Sequence, residues 1–234
     1  MDWRIFHREQ TASTNLDARD GRHGDVFTAG WQSAGRGRLD HKWLSPPGAN
    51  LLMSAVLDVA ALSPEEISTF PLVVGYAVAT ALAPLAPQKP LVKWPNDVLS
   101  GGRKLAGILC ERHGDNVIAG IGVNVLRQEF PPEIARRACF LGGRATVQSA
   151  MDAVLKSLSE AYALWRGDGF ARIWPELKAL DFLEGRRVRV VQVDGERPGI
   201  CGICRGIAAD GSLDVDGVRV YAGEVHVETM EEGQ

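Results

Sequence analysis

The sequence predicts an α+β protein, with a mixed β-sheet and helices packed on it, followed by a small β-barrel of about five strands. Three observations predict this class. Strand-like segments follow one another without helices between residues 91 and 125, and two helical stretches come next, near 147–166 and 170–180. Short strands separated by Asp-Gly turns fill the last stretch of the chain. This change of pattern near Glu184-Gly185 predicts two domains, residues 1–184 and residues 185–234.

The composition is that of an ordinary globular protein. Of 234 residues, 45% are hydrophobic and 24% are charged, which is enough apolar material for a real core. The formal net charge of −3 provides no broad positive field for nucleic acid or anionic membranes, so DNA and membrane partners are not expected. The N-terminal segment MDWRIFHREQ has no apolar core and does not predict a secretory signal.

The four cysteines indicate a reducing compartment. Cys201 and Cys204 form a CxxC pair, but they lie in a strand-like segment, where residues three apart point to opposite faces. No second CxxC completes a zinc set. We therefore expect buried, reduced thiols and a cytoplasmic protein.

Helix starts are marked by hydroxyl residues and proline. Ser13-Thr14-Asn15 precedes a helical stretch and predicts a side-chain cap. Ser63 as cap and Pro64 at the first helical position predict the start of a long apolar helix. The uncharged segment 67–88 contains three prolines and many alanines, so Pro71–Ala83 is predicted to be a buried helix and not a membrane span.

The predicted strands are short and apolar. Val98–Leu99, a Ser-Gly-Gly turn and Lys104–Glu111 predict a hairpin. The other predicted strands are Val26–Trp31, Asn50–Val59, Leu91–Trp94, Val117–Val125, Val188–Val193, Gly199–Ile207, Ser212–Val215, Arg219–Tyr221 and Glu224–Val227, with tight turns at Asp194-Gly195, Asp210-Gly211 and Asp216-Gly217.

One loop, Ser33–Trp43, concentrates positive charge in a slightly acidic chain. Its three basic residues outnumber Asp40, and its glycines let backbone N–H groups approach an anion closely. Arginine offers a planar fork for phosphate oxygens, and a tryptophan offers a flat face for a ring. Taken alone, the loop favours a solvated surface turn over an anion site.

Three further clusters lie at strand ends or inside strands. Lys93-Trp94-Pro95-Asn96-Asp97 places an amide and a carboxylate directly after a strand, where either a site or a self-bonded turn is expected. Arg103–Leu109 (RKLAGIL) brings a lysine and a glycine into an apolar strand, which suits close approach of a ligand or an ordinary hairpin. Gly120-Ile121-Gly122-Val123-Asn124 does the same with two glycines and an amide.

In this order, these clusters resemble biotin protein ligases. The matching pieces are Ser13-Thr14-Asn15, Gln32 with Gly35-Arg36-Gly37-Arg38 and Lys42-Trp43, Lys93–Asp97, Arg103–Leu109 and Gly122-Val123-Asn124. The resemblance is strong over residues 10 to 125 and weaker beyond. It implies a catalytic domain related to class II aminoacyl-tRNA synthetases, followed by an SH3-like barrel. It also implies an ATP-dependent enzyme that converts biotin to biotinyl-5′-AMP and passes the biotinyl group to a lysine of a biotin carboxyl carrier protein domain.

The resemblance also implies roles for individual residues. The implied catalytic residues are Lys104, Arg36, Arg38 and Asp97, the last as general base in transfer or as orienter of Lys104. The implied biotin-binding residues are Ser13, Thr14, Asn15, Gln32, Gly35, Arg36, Gly37, Arg38, Lys104 and Gly107. The implied ATP- and adenylate-binding residues are Arg36, Arg38, Trp43, Asn96, Lys104 and Asn124. No metal ligand is implied, because Mg²⁺ is expected to be held mainly by the phosphates of ATP.

Three other functions are compatible with parts of the same sequence. Some members of the family are biotin-sensing repressors with an N-terminal helix-turn-helix domain, and the first site motif, at residue 13, leaves no room for one here. A lipoate ligase or octanoyl transferase is a closer rival, which the Lys93–Asp97 and Arg103–Leu109 motifs disfavour. A non-catalytic binding module would leave Arg36, Arg38 and Lys104 unexplained. An exposed sheet edge could serve a homodimer or the carrier, and the sequence does not choose.

The chain departs from the family pattern at one place. After Gly-Arg-Gly-Arg, bacterial members usually continue Arg-Gly-Arg/His-Lys-Trp, whereas this chain has Leu39-Asp40-His41-Lys42-Trp43. The loop has less charge and one glycine fewer. We expect the difference to affect how tightly the loop holds the adenylate.

Overall fold

A computed structural model describes residues 1–39, 41–191 and 199–228. It contains two sheets with helices between and around them. The strands of the large sheet are β1 (Arg4–Thr11), β2 (Asp25–Gln32), β3 (Asn50–Asp58), β4 (Pro90–Lys93), β5 (Asp97–Ser100), β6 (Arg103–His113) and β7 (Asn116–Asn124). The helices are α1 (Thr14–Asp17), α2 (Pro64–Ser68), α3 (Phe70–Leu82), α4 (Pro132–Ala135), α5 (Val147–Asp168) and α6 (Trp174–Lys178).

The large sheet has the order β1-β2-β3-β7-β6-β5-β4, with β1 parallel to β2 and every other pair antiparallel. It is therefore mixed, as predicted. The second sheet is antiparallel and has the order β11-β10-β9-β8-β12. Its strands are β8 (Arg187–Val191), β9 (Ile200–Ile207), β10 (Leu213–Val215), β11 (Val218–Val220) and β12 (Glu224–Val227). The predicted class, a mixed sheet with helices and a small C-terminal β domain, is confirmed.

The two faces of the large sheet have different partners. On β3, Leu51, Met53, Ala55 and Leu57 belong to the main core, and α3 and α5 pack on that side. Alternate residues such as Val56 point to the other face, where they meet Ala18 beside α1. We call this second face the site face. Period-two alternation thus separates a structural side from a side that is free to carry polar groups.

The C-terminal sheet packs against the first part of the chain through several contacts. The main core continues without interruption from α3 and α5 into Val188, Cys204 and Val225 of the second sheet. The indole of Trp94 donates to the carbonyl of Gly211 over 3.1 Å, and that of Trp174 donates to the carbonyl of Ile207 over 2.8 Å. These bonds tie the second sheet to the end of β4 and to α6.

Several details differ from the sequence predictions. Ser63 caps α2 through a complete capping box and Pro64 follows it, but Thr69 separates this short helix from α3. Ser13 stands at the N-terminus of α1 without a side-chain capping bond, so the predicted cap is wrong. Cys204 is buried but Cys201 is exposed, because the two point to opposite faces of β9. All four cysteines are free thiols.

Two elements were not predicted, and some predicted positions lie outside the described residues. Strand β1 and the short helix α4 were missed. The end of the predicted strand Val188–Val193, the turn Asp194-Gly195 and the loop residue Asp40 lie outside the described residues. In the part of the chain that is described, no helix is both long and apolar enough to cross a bilayer.

Candidate active site

A pocket of about 440 Å³ opens on the site face of the large sheet. Its floor is a row of cross-strand partners, in which Lys93 on β4 pairs with Asp97 on β5, Asp97 with Gly107 on β6, and Gly107 with Gly122 on β7. Cross-strand partners point to the same face of a sheet. The row therefore presents two charged side chains followed by two stretches of bare backbone.

The bare backbone is covered by the indole of Trp43. A Cβ atom on Gly122 would lie 2.5 Å from Cε2 of Trp43, and one on Gly107 would lie 2.9 Å from its Cζ3. Both distances are too short for any side chain. Glycine at these two positions is thus required by close approach of the Trp43 ring, whereas the sequence predicted close approach of a ligand or another backbone at Gly107. Within the described residues, Nε1 of Trp43 is buried and has no hydrogen-bond partner.

The positively charged loop closes on itself as a small hairpin. The amide of Trp43 donates to the carbonyl of Gly35 over 3.0 Å, and the amide of Gly37 donates to the carbonyl of His41 over 2.7 Å. This closure directs Arg36 and Arg38 into the pocket. Gly35 is buried beneath the backbone of Trp43, where a Cβ would meet the Trp43 carbonyl oxygen at 2.5 Å, and it does not line the pocket.

One end of the pocket is rich in uncharged polar groups. The side-chain oxygen of Gln32 accepts from the amide of Thr14 over 2.7 Å and from its hydroxyl over 3.1 Å. Ser54, fully buried on β3, lies 2.7 Å from the Thr14 hydroxyl and 2.6 Å from Oδ1 of Asn15. The start of α1 is therefore held by the sheet and not by a cap, which leaves Ser13, Thr14 and Asn15 facing the pocket.

The other end of the pocket is strongly charged. Nζ of Lys104 lies 2.7 Å from Oδ1 of Asp97 and 5.8 Å from the centre of the Trp43 ring. Burial lowers the pKa of Arg38, and the nearby carboxylates Asp97 and Glu224 offset part of this effect. Burial likewise lowers the pKa of Lys93, with attraction to Asp97 opposing it and repulsion from Lys104 adding to it. Such crowding of cations suits a site that awaits an anion.

The two predicted amides are also engaged with the backbone. Nδ2 of Asn96 donates to the carbonyl of Ile108 over 2.9 Å, and Nδ2 of Asn124 donates to the carbonyl of Cys139 over 2.9 Å. Each side chain holds the strand or segment beside it. Their predicted contacts with the nucleotide stay predictions.

Nearly all of the predicted site residues meet in this pocket. It is lined by Ser13, Thr14, Asn15, Gln32, Arg36, Gly37, Arg38, Trp43, Asn96, Asp97, Lys104, Gly107 and Asn124. Gly35 is the exception, because it supports Trp43 from below. Across residues 1–39, 41–191 and 199–228, no group of three His, Cys, Asp or Glu side chains could hold a metal ion.

Several residues of the site were not predicted from the sequence. Lys93 was quoted in a motif without a role, and Arg137 joins the pocket because the amide of Lys104 bonds to the Arg137 carbonyl over 2.7 Å. Glu111 lies on the site face of β6, two and four residues beyond Leu109 and Gly107, a spacing that could have indicated it. The segment 223–226 at the start of β12 forms another wall, and no local signal could have indicated that contact.

The fold and the pocket define an α+β protein with a cationic binding site. Beside this site a tryptophan ring packs on two strand glycines. Comparisons with known proteins agree. The family model "Biotin/lipoate A/B protein ligase family" matches residues 6–126. The biotin–[acetyl-CoA-carboxylase] ligase of Mycobacterium tuberculosis is 34% identical over 232 residues, covering 92% of this chain and 86% of that protein. This chain belongs to the biotin/lipoate A/B protein ligase family.

Two further relatives bear on the fold and the length of the chain. A biotin protein ligase from Aquifex aeolicus, solved in complex with biotin and ATP, superposes with a TM-score of 0.84 at 28% identity, covering 96% of this chain and 99% of that one. The bifunctional ligase/repressor BirA of Salmonella typhimurium is 34% identical over 208 residues, covering 84% of this chain. The match covers 64% of that relative, so the chain spans less than two thirds of its length.

Proposed function

We propose that this chain is a biotin protein ligase. It activates biotin with ATP to biotinyl-5′-AMP and then transfers the biotinyl group to a lysine of a biotin carboxyl carrier protein domain. The observation that carries the proposal is the convergence of Lys104, Arg36 and Arg38 on one pocket, beside the polar Thr14–Gln32 cluster. The named relatives and the Aquifex complex with biotin and ATP support it.

In the first step, a carboxylate oxygen of biotin bonds to the α-phosphorus of ATP, and the bond from that phosphorus to the departing pyrophosphate breaks. Both reactants are anionic, so cations must offset their repulsion before they reach attack distance. Arg36, Arg38 and Lys104 supply that charge. Mg²⁺ enters as part of the nucleotide substrate, in keeping with a pocket whose carboxylate Asp97 is already paired with Lys104.

Biotin's polar ureido ring suits the uncharged end of the pocket. Thr14 and Gln32 provide hydroxyl and amide groups there, and Ser13 and Asn15 complete the same edge. The Trp43 ring packs directly on Gly107 and Gly122, which fixes its position beside the polar cluster. We assign the adenylate to this ring and to Asn96 and Asn124, with the buried Nε1 of Trp43 as an available donor.

In the second step, the carrier lysine attacks the mixed anhydride. Its nitrogen bonds to the biotinyl carbonyl carbon, AMP departs, and the lysine nitrogen gives up a proton to Asp97 or to solvent water. Asp97 could receive that proton, but its 2.7 Å contact with Lys104 favours the role of orienting the lysine. Transfer from preformed adenylate by the Asp97→Asn variant separates these roles, since an unchanged rate rules out the base.

Other parts of the proposal concern context. Residues 1–184 form the catalytic domain and residues 185–234 the C-terminal domain. The partner is a carrier domain of a biotin-dependent carboxylase, and the location is the cytoplasm, where free thiols persist. Self-association is the alternative use of the sheet edge, and light scattering of the purified chain measures it. Lipoate or octanoate chemistry is not favoured, because the relatives named above are biotin ligases.

Pyrophosphate exchange tests the proposal directly. The purified chain is expected to exchange labelled pyrophosphate into ATP only when biotin is present. Lipoate and octanoate in place of biotin serve as matched controls. Exchange that depends on lipoate or octanoate, or no exchange with any of the three, would overturn the proposed reaction.

A further inference from the structure

We propose that Glu111 is a positioning residue that couples the polar end of the pocket to Arg36 of the cationic loop. The inference rests on the proposed function and adds to it a link between the two substrate subsites. Glu111 does not line the pocket. It contacts two residues that line the pocket, Asn15 and Arg36.

The first half of the link fixes the orientation of Asn15. Its Oδ1 lies 2.6 Å from the hydroxyl of buried Ser54, and its Nδ2 donates to Oε2 of Glu111 over 2.7 Å. Nδ2 is also 3.3 Å from the carbonyl oxygen of Leu109. Two acceptors on one side and a hydroxyl on the other allow a single orientation of the amide. Glu111 therefore holds Asn15 at the edge of the pocket where Thr14 and Gln32 meet.

The second half of the link fixes Arg36. Both carboxylate oxygens of Glu111 approach the same guanidinium nitrogen, with Nη1 2.9 Å from Oε1 and 3.1 Å from Oε2. Arginine carries five N–H donors in a rigid plane. Holding it through one terminal nitrogen orients the whole fork and leaves its other nitrogens for the anionic groups of a ligand.

The exposure of this pair decides between a structural and a functional role. The side chain of Glu111 is 29% exposed and that of Arg36 is 41% exposed. Ion pairs with this much contact with water contribute little to stability. We therefore expect a substitution of Glu111 to change the orientation of Arg36 and not the stability of the protein. A ligand that orders Asn15 also orders Glu111, and through it the cation that meets the ATP phosphate.

The test uses Glu111→Gln, which keeps the size of the side chain and removes its charge. The KM for ATP in biotin-dependent exchange is expected to rise about tenfold, since one oriented charged contact is lost. The gain in affinity for a non-hydrolysable ATP analogue on adding biotin, measured by calorimetry, is expected to shrink by a similar factor. Glu111→Asp, which keeps the charge, is expected to recover part of both effects.

Two comparisons make the test specific. Glu228→Gln is the matched control, because Glu228 also bridges two arginines, Arg187 and Arg189, and its side chain is 26% exposed. It should leave the KM for ATP unchanged. In a double-mutant cycle, Arg36→Gln combined with Glu111→Gln should be no worse than Arg36→Gln alone, because Glu111 acts through Arg36.

Each outcome has one meaning. An active wild-type chain whose Glu111→Gln variant keeps both its KM for ATP and its biotin–ATP coupling overturns the role of Glu111 alone. Additive effects in the cycle overturn it as well. A wild-type chain without biotin-dependent exchange overturns the proposed function, and this inference falls with it. If Glu111→Gln does not fold, Ser54→Ala is the second test, because it removes the hydroxyl that holds Oδ1 of Asn15. This variant must also reduce the gain in affinity for the ATP analogue on adding biotin.

Discussion

At the scale of single residues, Gly122 and Gly107 admit the Trp43 ring to the floor of the pocket. A Cβ at position 122 would overlap the indole at 2.5 Å. We predict that Gly122→Ala displaces Trp43 and lowers biotin-dependent exchange by roughly ten- to a hundredfold, because catalysis is sensitive to misplacement of about an ångström. The same measurement on Gly107→Ala should show a loss in the same direction.

A glycine elsewhere provides the control for this prediction. Gly167 lies in α5, and a Cβ there would meet nothing within 4 Å. Gly167→Ala should leave exchange unchanged and stabilise the protein against urea by up to about 1 kcal/mol, the usual preference of a helix for alanine. Equal exchange activity of Gly122→Ala and Gly167→Ala would show that catalysis does not depend on the packing of Trp43 against Gly122.

Lys93 carries a stability cost that should depend on pH. Its folded pKa is lowered, first by burial, so the folded state disfavours the charged form. Below that pKa the lysine is charged in both states and the cost is fully present. The cost disappears as pH rises from the lowered pKa to the ordinary lysine value. We predict that Lys93→Met raises the free energy of unfolding at pH 7, and that the gain shrinks in alkaline buffer.

Urea titrations at both pH values measure this effect. Lys89→Met is the control, because Lys89 is exposed and its replacement should stay within about 0.5 kcal/mol at either pH. A gain for Lys93→Met that does not vary with pH would indicate added apolar packing and not relief of a buried charge.

The residues of the site were predictable to the extent that their motifs are local. Each of three motifs can be recognised from a short stretch of sequence. They are the glycines in apolar strands, the lysine at the start of a strand and the Gly-Arg loop. Glu111 and Lys93 were left without roles because a charged residue on a strand usually faces water. Only the register of β4 to β7 shows that both lie on the same face of the sheet as Gly107.

At the scale of elements, α5 depends on its N-terminal cap. The Thr146 hydroxyl accepts from the amide of Ser149 over 3.0 Å, and the Ser149 hydroxyl accepts from the amide of Thr146 over 2.9 Å. We predict that Thr146→Ala lowers the free energy of unfolding by about 1 kcal/mol, since it leaves a helix-end donor without its partner. Urea unfolding measures the loss. Thr146→Ser, which keeps the hydroxyl, should recover most of it.

Most elements were predictable because their apolar period or their turn residues are distinct. Strand β1 was missed because it lies at the edge of the sheet and is exposed along almost its whole length, so no alternation marks it. The break between α2 and α3 was missed because Thr69 keeps a helical backbone, with φ −80° and ψ −15°. The sequence does carry one signal for the break, Pro71 in the first turn of α3, where the missing N–H of proline is tolerated.

At the scale of the whole molecule, the two sheets are mechanically joined at the pocket. Nη1 of Arg38 lies 3.5 Å from the carbonyl oxygen of Gly223, and Nε2 of His41 lies 3.9 Å from a Glu224 oxygen. The second sheet thus closes the site over the cationic loop. Its contribution could not be predicted, because contacts between residues as far apart as 185 positions are set by packing of the two sheets and not by any local pattern.

The shared core predicts that the two sheets unfold together. Val188, Cys204 and Val225 belong to the same buried cluster as α3 and α5, so separating the sheets would expose apolar surface on both. A chain ended after Glu184 is therefore expected to be unstable and to lack exchange activity. In the full chain, pulsed hydrogen exchange along a urea titration should give the same midpoint for β9 and β3. A β9 that loses protection at lower urea while β3 stays protected would show that residues after 184 form a separately unfolding unit.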